Sequence, residues 1–432
     1  MNSKLLQQVR ILDPVSNTNQ VSDVLIIDGN IAAVEKNISE FPTKTNIQDC
    51  QGLILGPGLV DLYCHSGEPG FEERETIESL IQAARAGGFT RLAILPNTFP
   101  PVDNLAGLAR LQNLATQANN NSAFPLIYYW GAITQGLKGQ QMTELGELAA
   151  TAIVGFADGL PLENLALLRR VLEYLQPLNK SVALFCHNSE LAGNGVVREG
   201  YDSIRLGLPG VPTMAESSAI AAVLELVDDI GTPVHIMRVS TARSVELIEN
   251  AKSRGLPITA STTWIHLLLD TQAIDGKSPL GTEFLPYDPN LRLNPPLGNY
   301  SDRLALVQGI KDGVLDAIAI DHSPFSYEEK TVAFSEAPPG AIGLEIALPL
   351  LWQNLVETGE LSALDLWRVL STTPSKCLGL NPGEIKPQHS AEVILFAPQE
   401  TWVVEKQTLK SRSFNTPWLG KQIKGRLIII NY

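Results

Sequence analysis

The chain predicts an α/β fold, a (β/α)8 TIM-like barrel of 55–380 carrying a small β-sandwich made from both termini, 1–54 and 381–432. Three observations predict it. Eight apolar, β-rich runs punctuate the middle of the chain; segments with helical spacing separate most of them; and the two ends read as strands without helices.

The runs are Leu53 to Tyr63, Thr90 to Leu95, Leu126 to Trp130, Ala152 to Phe156, Val182 to Phe185, Val234 to Val239, Ile258 to Thr262 and Asp316 to Ile320. They are nearly continuous in apolar character, as strands buried on both faces must be. Ile77, Leu80, Ile81 and Ala84 keep helical spacing before the stop at Gly87-Gly88, and Val245, Ile248 and Ala251 follow Ser240 and Thr241 as candidate caps. Near the start, Val24 to Ile27, Asp28-Gly29-Asn30 and Ile31 to Val34 spell a tight hairpin. From Ala391 to Tyr432 the segments VILF, WVVE and RLIII are strand-like. Ile265 to Tyr300 is the least regular connection and a candidate lid.

Composition narrows the function. With 44% apolar residues in 432, the chain can bury a large core. A balance of 32 basic to 46 acidic residues, −14 in all, disfavours nucleic acid and anionic membranes as partners. Four dispersed cysteines (50, 64, 186 and 377) suggest neither disulfides nor a zinc ribbon, and no signal-peptide or spanning run is evident, so a cytoplasmic location is expected. The phosphate-loop pattern G-X-X-X-X-G-K-[ST], the G-X-S-X-G elbow and H-E-X-X-H are absent.

The blocks VDLYCHSGEPGFEERETI, AARAGGFTRLAILPNTFPPVDN, RLGLPGVPTMAES, VHIMRVSTARSVELI, LRLNPPLGNYSDRLAL, DAIAIDHSPFSYEEK, FSEAPPGAIGLEIALPLL and SRSFNTPWLGKQIKGR run in order along nearly the whole chain. Together they resemble the long-chain dihydroorotases of the amidohydrolase superfamily. The resemblance implies the barrel with its terminal β domain. It also implies a place in pyrimidine biosynthesis, the reversible closure of carbamoyl aspartate to dihydroorotate by a metal-bound hydroxide.

Carried over residue by residue, the implied metal site is incomplete. Of its ligand positions His65 and Asp321 survive, Asp321 being also the general acid/base position. Tyr63, Ala157, Phe185 and Arg238 replace the others, with Asp158 following Ala157. Of the implied substrate contacts Asn97 and Asn294 remain, whereas Gly67, Gly298 and Phe325 stand where arginines and a histidine are expected. A guanidinium cannot ligate a cation. Arg238 is therefore expected to pair with Asp321 in place of an ion, with Tyr63 and Phe185 filling the vacated space. No cofactor is expected.

The leading expectation is a dihydroorotase-like protein that is not itself a catalyst and that partners aspartate carbamoyltransferase, as degenerate relatives in the resembling family do. Three alternatives stand beside it. One is an active, zinc-dependent cyclic amidohydrolase using His65, His187 and Asp321. Another is a soft site of Cys64, His65, Cys186 and His187 for zinc or copper. The last is a binding module in which Asn97, Asn294 and Arg238 hold a small carboxylate. By alternation His322 is expected to point away from the barrel interior, His235 to face a helix or water, and His266 to be either solvated or packed; His389 falls in the terminal domain.

Overall fold

The structure, a computed structural model, describes residues 2–119, 123–279 and 281–428. The asparagine run at 120–122 and the end of RLIII at 429–430 lie outside them. Eight parallel strands form the barrel: Leu59–Cys64, Phe89–Ile94, Leu126–Gly131, Gly155–Phe156, Ser181–Phe185, Val234–Met237, Ile258–Thr263 and Ala317–Ala319. Each lies within or beside one of the eight apolar runs. The first and last strands meet where Ile320 N–H donates to Asp61 Oδ1 at 2.8 Å and His65 N–H to the His322 carbonyl at 3.0 Å.

The interior is filled by residues that alternate inward, among them Val60, Leu62, Ala93, Trp130, Ala183, Met237 and Ala317. Trp130 Nε1 donates to the Leu62 carbonyl at 2.8 Å, which satisfies the polar atom of the largest of them. The opposite faces pack under helices. In the first helix, Ile77–Gly87, the residues Ile77, Leu80, Ile81 and Ala84 are buried, Thr76 caps the start through Ser79 N–H, and Gly88 at φ 82° ends it in the left-handed conformation. Helix Ala242–Ser253 starts from Thr241 as its cap.

Strands from both termini form a separate seven-stranded sheet. The N-terminal strand Ser3–Asp13 pairs with Thr18–Ile27, Asn46–Asp49 and Ile54–Pro57. Ile54–Pro57 also pairs antiparallel with Val393–Val403, which ties the two ends of the chain together. The Asp28-Gly29 hairpin lies as expected between Ile27 and Asn30, both turn residues having positive φ. VILF and the start of WVVE belong to one strand with a register shift between Ala397 and Thr401.

One expected strand is two. Leu53 to Tyr63 breaks at Gly58, with Ile54–Pro57 in the terminal sheet and Leu59–Cys64 in the barrel, so the change of unit falls later than residue 54. An apolar run cannot reveal such a break because both halves are fully buried. A Cβ at Gly58 would lie 2.0 Å from Thr90 Oγ1, so the chain passes between the two units only where no side chain intervenes. The connection Ile265 to Tyr300 holds the short helix Trp264–Leu268 and the single turns Thr271–Asp275 and Pro289–Leu291. Among the described residues no helix is long and apolar enough to cross a membrane.

Close packing of the first helix gives a direct test. A Cβ at Gly87 would come 1.9 Å from the Leu344 carbonyl oxygen, a backbone atom that cannot turn aside. Gly87→Ala is expected to lower stability by about 1–3 kcal/mol in urea unfolding, against the small gain an alanine gives in an open helix.

Candidate functional site

Chemistry in such barrels sits at the carboxyl ends of the strands, where the chain leaves the sheet. Here those ends carry His65 just past the first strand, Phe185 closing the fifth, Arg238 just past the sixth and Asp321 just past the eighth. Arg238 and Asp321 both have left-handed backbones, with φ of 56° and 51°. Non-glycine residues adopt this conformation at a cost, which the surroundings must enforce.

The two side chains meet in a bidentate ion pair. Arg238 Nε donates to Asp321 Oδ2 at 2.8 Å and Nη2 to Oδ1 at 2.7 Å. The remaining Nη1 donates to the Gly159 carbonyl at 3.0 Å. Arg238 is 6% exposed, so its charge is almost wholly desolvated. Aromatic rings flank it: the guanidinium carbon is 5.1 Å from the Phe185 ring centre and 5.5 Å from that of Tyr63. His65 Nε2 stands 3.7 Å from Asp321 Oδ1. Burial by itself would raise the Asp321 carboxyl, but Arg238 and His65 hold it far below the usual carboxylate range.

Beneath the ion pair runs a buried chain of hydroxyls and an imidazole. Tyr63 Oη accepts from Arg238 N–H at 3.2 Å and lies 2.9 Å from Ser261 Oγ. Ser261 Oγ is 2.8 Å from His235 Nε2, and His235 Nδ1 is 2.8 Å from Thr259 Oγ1. His235 therefore faces the barrel interior, not a helix or water. Counting alternation back from Arg238 misplaces it because the left-handed turn at Arg238 breaks the parity of the strand. Burial pushes the His235 imidazole down to about 3.

The other expected residues are dispersed among structural duties. Asp158 accepts from Ile133 N–H at 2.7 Å, Thr134 N–H at 3.0 Å and Thr134 Oγ1 at 2.5 Å. Ala157 is packed inside the barrel. Asn97 Nδ2 donates to the Asp158 carbonyl at 2.9 Å, while its Oδ1 is buried without a partner. Asn294 is exposed at the edge of the mouth cavity. His322 points away, as expected, with Nε2 3.3 Å from Glu75 Oε2 and Nδ1 accepting from Gly343 N–H. His266 is packed, with Nδ1 2.7 Å from Thr263 Oγ1 and Nε2 3.2 Å from the Pro295 carbonyl, and burial pushes it down to about 4. His389 lies beside the terminal sheet, its carbonyl accepting from Ile31 N–H.

Cys64 and Cys186 are buried among the packed apolar residues outside the barrel interior, their thiols nearest the Ala93 and Leu184 carbonyls. His187 stacks on Phe185 and lines a different cavity from His65 and Asp321. Neither the soft cysteine-histidine site nor the His65, His187 and Asp321 centre is assembled. Among the described residues no three His, Cys, Asp or Glu side chains converge as ligands would.

The chain as a whole has close relatives. A family model described as "Dihydro-orotase-like" matches residues 52–244. A probable dihydroorotase-like protein of Synechocystis sp. is 46% identical over 445 aligned residues, spanning 99% of both chains. The dihydroorotase of Syntrophus aciditrophicus is 36% identical, spanning 98% of this chain and 96% of that one. The chain belongs to the dihydroorotase-like family. Its fold is that of amidohydrolases: L-hydantoinase (dihydropyrimidinase) from Arthrobacter aurescens superposes with a TM-score of 0.82 at 20% identity, covering 99% of this chain and 94% of that one. The D-hydantoinase of Thermus sp. gives 0.79 at 22%, covering 98% and 93%.

Measured against the metal centre that the family resemblance implies, this dihydroorotase-like site does not fit. Both oxygens of Asp321 are taken by Arg238, and a fixed cation occupies the place of a ligand. The mouth cavity, lined by His65, Arg238, Asn294 and Asp321, is about 140 Å³.

Removing one partner of a buried, bidentate pair strands the other charge. Arg238→Ala is expected to cost about 3–5 kcal/mol in urea unfolding. The double variant Arg238→Ala with Asp321→Asn should recover part of that loss, whereas a double loss equal to the sum of the two single losses would show that the pair is not coupled.

The buried imidazoles set a pH dependence. His235 takes its proton near pH 3 in the fold but at ~6.5 in the unfolded chain, so below pH ~6.5 the unfolded chain binds more protons. Stability should therefore fall as pH drops from 6.5 toward 4, and His235→Gln should flatten that slope in denaturant titrations.

Proposed function

We propose that this chain is a non-catalytic member of the dihydroorotase-like family, which keeps the barrel and serves in pyrimidine biosynthesis as a structural partner of aspartate carbamoyltransferase. One observation carries the loss of catalysis: the Arg238 guanidinium is clamped on both oxygens of Asp321 at the barrel mouth. An aspartate so engaged has one lone pair on each oxygen committed to the guanidinium and its charge neutralised by it. Its carboxyl, held far below its usual range, is a poor base.

The positions where the resemblance expects a grip on a dianionic substrate support the same reading. Gly67 has φ 69°, and a Cβ there would lie 2.5 Å from the Glu75 carbonyl oxygen. At Gly298 a Cβ would come 2.5 Å from Asp302 Cβ. Neither position accepts an arginine on this backbone. Phe325 lies near the Arg74 guanidinium and the Lys330 ammonium, 4.9 Å and 5.2 Å from its ring centre, so it packs against cations and presents no polar group. The partnership rests on the family resemblance and on the retained shell, which leaves a rigid barrel free to present its loops to another protein.

The protein is expected to purify without stoichiometric zinc, to hydrolyse dihydroorotate no faster than buffer with or without added zinc, and to co-elute with aspartate carbamoyltransferase. Elemental analysis, an ultraviolet assay and size-exclusion chromatography check these in turn. Turnover that tracks bound zinc would overturn the loss of catalysis, and separate elution at micromolar concentrations would overturn the partnership.

A further inference from the structure

A second cavity, of about 250 Å³, lies behind Phe185, away from the barrel mouth. Leu162, Leu168, Leu184, Ala219 and Val223 make most of its wall, and Leu165 and Glu163 reach solvent at its rim. It exceeds the ~150 Å³ that suffices to enclose a benzene ring in an apolar protein interior.

One wall is polar. The His187 imidazole stacks on Phe185 with the rings 13° from parallel and 5.5 Å apart, and neither ring nitrogen has a hydrogen-bond partner among the described residues. The neighbouring polar groups are otherwise engaged, Asn188 Oδ1 by Leu191 N–H and one Glu163 oxygen by Ser189 N–H. A half-buried imidazole without a partner on the wall of an apolar cavity is the arrangement by which small-molecule sites fix orientation.

The geometry points to a binding site here for a small, uncharged aromatic molecule that carries one hydrogen-bond donor, held by the apolar wall and oriented by His187. Burial holds the imidazole below its ordinary range, opposed by Glu216 and aided by Arg198, so it is neutral near pH 7 and offers an acceptor nitrogen. The nearby carboxylates of Glu163 and Glu216 disfavour an anion. Cys186, pushed up to about 12 by burial, supplies no thiolate, which leaves the site unsuited to a soft metal. Phe185, whose ring centre is 5.1 Å from the Arg238 guanidinium carbon, lines both this cavity and the mouth.

Indole is the probe: its ring fits the volume and its N–H meets His187. Titration calorimetry on the full chain should give one saturable site with a dissociation constant on the order of 0.1–1 mM, as for a ligand of about nine atoms. Indene, the same shape without the N–H, should bind about tenfold more weakly, and benzoate not at all. The His187 nitrogen resonances should shift with indole and not with benzoate. Ala222→Phe fills the cavity and should abolish binding; Ala219→Leu, a smaller change, should weaken it should the first variant fold poorly. Indene binding as tightly as indole, indole binding that survives both filling variants, or no saturable site would each overturn the assignment.

Discussion

A guanidinium on a carboxylate at the carboxyl end of the barrel is the constraint around which the rest of the mouth is arranged. Burying either charge alone would cost several kcal/mol, so each residue is needed to make the other tolerable. Both residues of the pair have left-handed backbones just past the ends of strands six and eight, and the pair is one of the contacts that hold them there. Tyr63 and Phe185 then complete a collar about the charge. Tyr63 accepts the Arg238 amide and, with the Ser261 hydroxyl and the His235 imidazole, satisfies polar groups that would otherwise be buried without partners.

The fold itself does not rest on what fills the mouth. In a barrel the packed layers of the interior and the helices outside supply stability, and the strand ends and loops supply chemistry. A buried carboxylate at the mouth with no positive partner would be a local defect; Arg238 offsets it with two hydrogen bonds, and a third to the Gly159 carbonyl fixes the guanidinium. The protein can therefore keep the shape its family uses for other purposes. A loop surface carried on a rigid scaffold is one such use, because binding then costs little ordering.

The barrel was legible in the sequence because fully buried strands are written as apolar runs, and all eight left that trace. Boundaries were less so: the run from Leu53 hides a passage between two units, since burial on both sides of Gly58 looks the same as one strand. The positions at the strand ends were named by the family resemblance, and the pairing of Arg238 with Asp321 followed from those positions and their opposite charge. Orientation past the strand ends was not. His235 faces inward, contrary to parity, because a single left-handed residue resets the count, and nothing in the letters of RVST announces a positive φ. The close approaches at Gly67 and Gly298 were equally silent, for a glycine in sequence does not say what stands where its side chain would be.

The Phe185 ring is where these strands of reasoning meet. It stands where the resemblance implies a histidine, and it contacts both the Arg238 guanidinium and the His187 ring. An imidazole ligating an ion at that point would have to turn its nitrogens toward the mouth; a phenyl ring has no such demand and can pack against both a cation and a second aromatic ring. Its negative face then steadies Arg238, which strengthens the hold on Asp321, while the ring also lines the cavity beyond. A phenyl ring at this position thus offers no donor to a cation and braces the Arg238 charge. This is why the altered positions read as a consistent set and not as independent losses.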